Sequence, residues 1–331
     1  MRKRIIMRCA AILALLLPLL LAGCRQKPAE EPHWVREDYL LPAGWDPGAI
    51  QSCAGGTLSV VGVHMTGDEK ICLFTLAEGG GSYEKRELSG MDRLRSPRWE
   101  GSIFYGLKDI EGERTFVRYD EEGNLLESRP LSGILPDKPD FKPQDVFRAP
   151  DGTLVLLDRH ILAMVPPSGE VERIERDARG EFDRLFPAPN GEVWVWERTE
   201  RGRGIARIDR ERGRLTDLVF LPEEPPQDWQ QNVNVLGFDA EGRFLWAEDD
   251  GINAVRFDED GPTKTRFLDY DGEDLDLSRY RAALLSDGRT LVFSRREFEE
   301  PRLEGESDAA YRARTGGAKR LTRFLVLRPA G

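Results

Sequence analysis

The stretch FRAPDGTLVLLD (residues 147–158) is typical of a β-hairpin, because a short strand leads into an Asp-Gly turn and then into an apolar run. Two later stretches repeat it: FPAPNGEVWVWE begins at Phe186 and LGFDAEGRFLWAE at Leu236. Turn glycines followed by an apolar strand recur every 39 to 51 residues, at Gly56, Gly101, Gly152, Gly191, Gly242 and Gly288. A period of this length indicates a repeat architecture.

Each repeat predicts four strands. A second turn follows most of the first ones after 17 to 24 residues, near Gly80 and at Gly123, Gly169, Gly213 and Gly261. Four antiparallel strands in about forty to fifty residues are typical of a β-propeller blade. A β-sandwich would not repeat one double hairpin in this way, and the period of 3.6 that an α-solenoid needs is nearly absent.

The repeats predict an all-β fold with six units, of which the last is incomplete. That unit offers the strands AALLS, TLVFSRREF and RLTRFLVLRP, with no fourth strand after them. Residues 34–42 (WVREDYLLP) read as a spare strand near the other end of the chain. Pairing this strand with the last unit would remove an exposed sheet edge. We therefore predict a single six-bladed β-propeller over residues 33–331, closed by residues 34–42.

Repeats of the form "pDGtlyv" followed by "i.r.d..G.l" resemble the six-bladed propellers of the NHL and gluconolactonase-like group, which includes propeller domains of bacterial lipoproteins. In the gluconolactonase-like enzymes, the resemblance implies a divalent metal held in the channel by Glu, Asn and Asp from inner strands. Here Asp145 and Asn234 are the evident oxygen ligands near the starts of the inner strands, with no clear third. We assign no catalytic residue, metal ligand or cofactor.

The first 23 residues are typical of an export signal. Four cationic residues among the first eight precede an apolar run at 9–21, which is too short to span a bilayer as a helix. The following LAGC, which ends at Cys24, resembles the lipobox of bacterial lipoproteins. In that case Cys24 carries the lipid and becomes the mature N-terminus. An ordinary signal peptide or an uncleaved anchor is the alternative.

Charge and composition then restrict the partners. Residues 24–32 are polar and contain proline, so they are predicted to be a lipidated tether. Loss of the four signal cations changes the formal net charge from −11 to −15. This negative net charge argues against nucleic acid as a partner of the folded domain, because a protein binds nucleic acid through a basic face. We expect a monomer outside the cytoplasm, held on a bacterial membrane by its lipid.

After removal of the signal, which contains Cys9, two cysteines remain besides Cys24. Cys53 and Cys72 fall in apolar, strand-like runs, on the first and third strands of one blade. Two strand spacings separate such positions, which exceeds the usual reach of a disulfide. We favour two buried thiols, with a disulfide as the alternative.

Trp194 and Trp196 are close together in one predicted strand. We expect them to face different ways, so that at least one packs between blades.

The predicted loops are unequal on the two faces of the propeller. The turns between strands one and two and between strands three and four are short. The loops on the other face are elaborated at 131–145, 221–234, 269–280 and 297–320. Functional surfaces are usually built from such loops on a rigid scaffold.

The predicted binding residues lie on this elaborated rim and at the mouth of the channel. Trp229 and Tyr280 are aromatic residues in long polar loops, where contact with a partner is a natural role. The other candidates are charged or polar residues at the ends of strands: Asp158, Arg159, His160, Glu248, Asp249, Arg295 and Arg296.

Two functions fit these patterns. The first is a membrane-anchored binding module that recognises a small molecule, a glycan or an envelope protein without catalysis. The second is a metal-dependent hydrolase or lyase that acts on a sugar or lactone in the channel. The sequence favours the first, since no phosphate loop, Gly-x-Ser-x-Gly or His-x-x-x-His motif is present.

The lipobox resemblance gives a first prediction. Replacing Cys24 by Ser removes the thiol that would accept the lipid, so the variant should incorporate no labelled fatty acid and leave the membrane fraction without detergent. Metabolic labelling and fractionation measure both effects, with Cys53→Ser as the matched control. A Cys24→Ser protein that still needs detergent for extraction would contradict the lipid anchor.

Overall fold

A computed structural model describes residues 34–329 of the chain. Its description omits residues 42–44, 53–57, 65–70, 77–79, 89, 92, 177–179, 222–233, 249, 259–260, 271–280, 285–286, 299–302, 304, 308, 311–313 and 315–319. The signal, Cys24 and the tether therefore lie outside the described residues. Arg36–Arg328 belong to one compact unit, and the few described residues beyond its two ends belong to a second.

The regular secondary structure of the described residues is almost entirely β-strand. In chain order the strands are β1 (Trp34–Leu41), β2 (Trp45–Ser52), β3 (Leu58–His64), β4 (Ile71–Leu76), β5 (Tyr83–Glu87), β6 (Arg95–Glu100), β7 (Ile103–Ile110), β8 (Glu113–Tyr119), β9 (Leu125–Pro130), β10 (Asp145–Arg148), β11 (Leu154–Leu157), β12 (Ile161–Val165), β13 (Glu172–Glu175), β14 (Glu181–Pro187), β15 (Val193–Thr199), β16 (Gly202–Asp209), β17 (Arg214–Phe220), β18 (Asn234–Phe238), β19 (Phe244–Glu248), β20 (Gly251–Asp258), β21 (Gly261–Asp269), β22 (Arg281–Leu284), β23 (Leu291–Phe298) and β24 (Arg320–Pro329). No helix among these residues is long and apolar enough to cross a membrane.

The strands form four-stranded antiparallel sheets, as the repeats predict for an all-β propeller. Five sheets each use four consecutive strands: β2 to β5, β6 to β9, β10 to β13, β14 to β17 and β18 to β21. The hairpin quoted first is β10 and β11, in which Asp145 pairs with Leu157 and Arg148 with Leu154. Gly152 has a φ of +85° in the turn between them, a backbone conformation that glycine adopts without strain.

A further sheet is composite. Its strand order is β1-β24-β23-β22, so a strand from near the start of the chain completes a sheet made from its last three strands. The structure thus has five blades of continuous sequence, where the repeat count predicts six, and one sheet assembled from two separated parts of the chain. The pairing of β1 with β24 agrees with the expectation for residues 34–42.

Side chains reinforce the composite sheet. Glu37 is buried, and its Oε2 accepts a hydrogen bond of 2.8 Å from the hydroxyl of Tyr39. The same oxygen lies 3.0 Å from Nη2 of Arg328 on β24. Burial and the neighbouring carboxylate both raise the pKa of Tyr39, which therefore stays protonated and keeps donating.

The innermost strand is the first strand of each continuous sheet and β22 in the composite sheet. Contacts run from β2 to β6, from β6 to β10, from β10 to β14, from β14 to β18, from β18 to β22 and from β22 back to β2. The apolar core fills the spaces between neighbouring sheets, as in the cluster where Leu156 and Ile161 pack with Leu107 and Phe116. This packing fixes the spacing of the inner strands.

The expectation for the paired tryptophans was wrong in its geometry. Trp194 and Trp196 are both buried in one cluster with Phe238, Phe244 and Trp246, between the fourth and fifth continuous blades. Residues two apart in a strand point to the same face, so the two indoles enter the same interface. Cys72 is buried in β4, as expected, while Cys53 lies outside the described residues.

Deleting residues 34–41 should destabilise the protein, because β24 would become an open sheet edge and Arg328 would lose its contact with Glu37. We expect a lower melting temperature and aggregation at micromolar concentration, measured by differential scanning fluorimetry and light scattering. Deletion of residues 25–32, which leaves β1 in place, is the matched control. An unchanged melting temperature after removal of 34–41 would refute the role of β1.

Candidate binding cavity

The inner strands surround a cavity of about 860 Å³. Residues from β6, β10, β14, β18 and β22, and from the turns that follow several of them, line it. Its walls are partly apolar, with Trp99, Phe147 and Phe238 on three different strands. Small-molecule sites in proteins typically have volumes of roughly 300–1,000 Å³ and such mixed walls. The cavity is therefore large enough for a ligand of metabolite size.

A buried ion pair forms one wall of the cavity. Nη2 of Arg98 on β6 lies 3.0 and 3.1 Å from the two carboxylate oxygens of Asp145 on β10. The carboxylate is almost fully buried, so water screens the pair weakly. Burial would lower the pKa of Arg98, but attraction to Asp145 outweighs it and holds that pKa above its ordinary value.

Arg98 also joins the inner strands through backbone carbonyls. Its Nε donates to the carbonyl oxygen of Val146 at 2.6 Å, and Nη2 donates to that of Leu185 on β14 at 2.8 Å. Asp145 completes the link by accepting from the backbone N–H of Leu185 at 2.7 Å. Three neighbouring blades are thus connected at the channel wall by two side chains.

Ser96 adds a further contact with the same carboxylate. It has a φ of +46°, an unfavourable value for a residue with a side chain, and it lies in a bulge of β6 between Arg95 and Arg98. Its hydroxyl donates a hydrogen bond to Oδ1 of Asp145. The strained backbone is compensated by this buried contact, which places the hydroxyl at the cavity surface.

The carboxylate of Asp145 is not available to bind a metal ion. Its oxygens already accept from Ser96, Arg98, Leu185 and, at 2.8 Å, from the backbone N–H of Val146. A cation at this carboxylate would also lie beside the guanidinium of Arg98 and be repelled by it. Asp145 therefore does not fit the metal site that the gluconolactonase resemblance implies.

The second residue named from the sequence as an oxygen ligand is held through its amide nitrogen. The side-chain amide of Asn234 on β18 donates to the carbonyl oxygen of Ala282 on β22 at 2.9 Å. Throughout the portion of the chain that the structure describes, no three His, Cys, Asp or Glu side chains cluster in a way that could hold a metal ion.

Two adjacent charged residues of β14 face the cavity without compensation. Asp183 and Arg184 both line it and both are exposed, and no described residue forms an ion pair or hydrogen bond with either side chain. The strand has a bulge between Phe182 and Arg184, where one extra residue interrupts the alternation of faces. Phe182 before the bulge and Leu185 after it pack in the core, and the two charged residues between them are exposed.

The other carboxylates near the channel are hydrogen-bonded within their own turns. Asp239 accepts from the backbone N–H of Arg243 at 2.8 Å and from its Nε at 2.6 Å. Asp287 accepts from the backbone N–H of Thr290 at 2.9 Å and from its hydroxyl at 2.6 Å. These residues shape the turns after β18 and β22, whereas Asp183 lines the cavity and its carboxylate accepts no hydrogen bond from a described residue.

Three of the rim residues predicted from the sequence lie together, on the loop between β11 and β12. Oδ1 of Asp158 accepts from the backbone N–H of His160 at 3.0 Å. Arg159 pairs with Glu181 at 2.5 Å, and Nδ1 of His160 lies 3.1 Å from the carbonyl oxygen of Gly180. These contacts attach the loop to the start of β14, and none of the three residues lines the cavity.

The remaining predicted binding residues that the structure describes lie on β19 and β23, away from that loop in the sequence. Glu248 at the end of β19 is exposed and accepts a hydrogen bond of 2.8 Å from the indole of Trp246. Arg295 and Arg296 belong to β23, where their backbones pair with Arg323 and Thr322. Trp229, Asp249 and Tyr280 lie outside the described residues. Their proposed binding role stays a prediction.

Sequence reasoning overlooked the channel residues Ser96, Arg98, Asp183 and Arg184. A usable signal was present, because SPRW and EFDRLFP each place charged residues inside the first strand of a blade. Two consecutive charges in EFDRLFP break the strict alternation of a strand, which is the pattern expected of a bulge.

Comparisons with known proteins place the chain among propellers by structure. No family model matches it, and no curated protein matches it in sequence. The extracellular domain of a putative hybrid two-component system from B. thetaiotaomicron is similar with a TM-score of 0.50 and 11% identity, covering 79% of this chain and 38% of that one. This chain thus spans well under half the length of that extracellular domain.

Gluconolactonase-like propellers are also among the similar structures. A gluconolactonase from Xanthomonas campestris has a TM-score of 0.42 and 14% identity, with 92% of this chain and 99% of that one covered. A putative gluconolactonase has a TM-score of 0.45 and 14% identity, with coverages of 88% and 92%. At these identities the likeness concerns the fold alone.

The buried ion pair should be essential for stability. Asp145→Ala leaves the guanidinium of Arg98 buried without its partner, and we expect a loss of about 3–5 kcal/mol in the free energy of unfolding. Urea denaturation followed by tryptophan fluorescence measures it. Asp183→Ala is the matched control, with a change within about 0.5 kcal/mol, as is usual for an exposed side chain. Equal losses in the two variants would contradict the special role of the pair.

Proposed function

We propose that the protein is an extracytoplasmic binding module that takes a small polar molecule into the channel of its propeller and performs no chemistry on it. The observation that carries this proposal is the cavity of about 860 Å³, lined by the charged residues Asp183 and Arg184, which no described side chain pairs with. The volume suits a small ligand, and the charges suit a polar one.

The contrast between two groups of charged residues supports binding. Arg98 and Asp145 satisfy each other and stiffen the wall, so a ligand gains little from them. Asp183 and Arg184 are exposed and bonded to no described residue, so a ligand can form charge-assisted hydrogen bonds with them. A rigid wall beside adaptable polar groups is an arrangement that lowers the ordering cost of binding.

The proposal includes the lipid on Cys24 and a propeller of six blades. The lipobox resemblance of LAGC supports the anchor. The contacts of β2 with both β6 and β22 support a ring in which the composite sheet acts as the sixth blade. In this arrangement the propeller stands at a bacterial membrane surface and binds ligands from the extracytoplasmic space.

The elaborated rim is proposed as a second contact surface, for an envelope protein that responds to the loaded propeller. Trp229 and Tyr280 are the aromatic residues on which such a contact would depend. The loop with Asp158, Arg159 and His160 is tied to the start of β14, the strand that carries Asp183 and Arg184. The rim and the cavity thus share one structural element.

Filling the cavity tests the proposal. Leu236 on β18 lines the cavity and is half-buried, so Leu236→Trp should occupy ligand space without disturbing the core. Full-length protein in detergent is equilibrated with a small-molecule extract of an envelope-bearing bacterial culture, washed and heated, and the released compounds are identified by mass spectrometry. We expect the native protein to release at least one enriched compound and Leu236→Trp to retain less than a tenth of it.

Leu125→Trp is the matched control, because Leu125 is exposed on the outer strand β9. It should retain the compound fully. Equal retention by the native protein and Leu236→Trp would refute binding in the channel. Turnover of a sugar lactone that requires added Ca²⁺ and stops with a chelator would replace the binding module by the metal-dependent hydrolase.

A further inference from the structure

The bulge of β14 exposes two opposite charges to the same cavity. Residues that follow each other in a regular strand point to opposite faces. The register shift between Phe182 and Arg184 changes this, since Asp183 and Arg184 both line the cavity and are both exposed. Their Cα atoms are about 3.8 Å apart, as in any trans peptide. The carboxylate and the guanidinium therefore come from neighbouring residues of one strand and form no ion pair with each other.

Among the residues that the structure describes, no side chain at the cavity pairs with either of these two groups. Arg98 is held by Asp145, and Asp239 and Asp287 are hydrogen-bonded in their turns. A single-charge ligand would satisfy one group of the bulge and leave the other beside a like charge or in partly desolvated surroundings, which is costly. A ligand with both charges satisfies both.

The apolar walls indicate what else the ligand carries. Trp99 and Phe147 are half-buried and line the cavity from β6 and β10, and Leu236 and Leu284 line it from β18 and β22. These surfaces suit an apolar side chain. Aromatic rings also attract an ammonium group through their faces. The lining therefore combines a site for two opposite charges with apolar surface for a side chain.

We propose, as a deepening that rests on the binding function proposed above, that the channel ligand is a zwitterion: a free amino acid or short peptide with an apolar side chain. Asp183 accepts hydrogen bonds from its ammonium group, and Arg184 donates to its carboxylate. The apolar side chain packs against the aromatic and aliphatic walls of the cavity.

Three compounds of nearly equal size separate the contributions of the two charges. L-Phenylalanine carries both charges, 2-phenylethylamine only the ammonium, and 3-phenylpropanoate only the carboxylate. Isothermal titration of the full-length protein in detergent at neutral pH should show L-phenylalanine binding at least tenfold more tightly than either analogue. Equal affinities for the three compounds would overturn the proposal.

Variants assign each charge to its residue. Asp183→Asn should bind L-phenylalanine no more tightly than 3-phenylpropanoate, and Arg184→Gln no more tightly than 2-phenylethylamine. Glu211→Gln is the control, because Glu211 is an exposed carboxylate in the turn between β16 and β17 and does not line the cavity. It should keep the full preference. Retention of the preference in both bulge variants would overturn the assignment.

The experiment also separates this inference from the function on which it rests. If none of the three compounds binds while the native protein still retains an extract compound that Leu236→Trp loses, the zwitterion is wrong and channel binding stands. If neither protein retains any extract compound and none of the three binds, both proposals are wrong.

Discussion

The buried pair of Arg98 and Asp145 is the interaction on which the channel depends. Each inner strand belongs to a different sheet, and sheets of a propeller are held together mainly by non-directional apolar packing. The pair adds direction, because Arg98 reaches the carbonyls of β10 and β14 while Asp145 accepts from the backbone of β14. This wall holds β14 at Leu185, directly after the bulge that contains Asp183 and Arg184.

The architecture could be predicted from the sequence because turn glycines and alternating strands are local signals. The quoted hairpin, with Gly152 in its turn, forms as its pattern indicates. The pairing of β1 with β24 could be inferred from counting strands alone. The orientation of Trp194 and Trp196 was misjudged, although the period of two in a strand was sufficient to decide it.

The channel residues were harder to predict, because their roles depend on contacts between strands that are distant in sequence. Nothing local shows that Arg98 meets Asp145 and Leu185, which lie 47 and 87 residues away. The same holds for Asp145 as a suspected metal ligand: its sequence context suggests an available carboxylate, and only the fold reveals that four donors already occupy it. The length of the loops favoured a binding surface on the rim, although Asp183 and Arg184 lie on a short inner strand.

The composite sheet has a consequence for how the chain folds. Its first strand has to find a partner located almost the whole chain length away, so this contact closes the largest possible loop and forms late. The continuous blades are built from neighbouring hairpins, so they can form before β1 pairs with β24. Until β24 is synthesised, β1 would therefore lack its partner, and its unpaired backbone groups could pair with a strand of another chain.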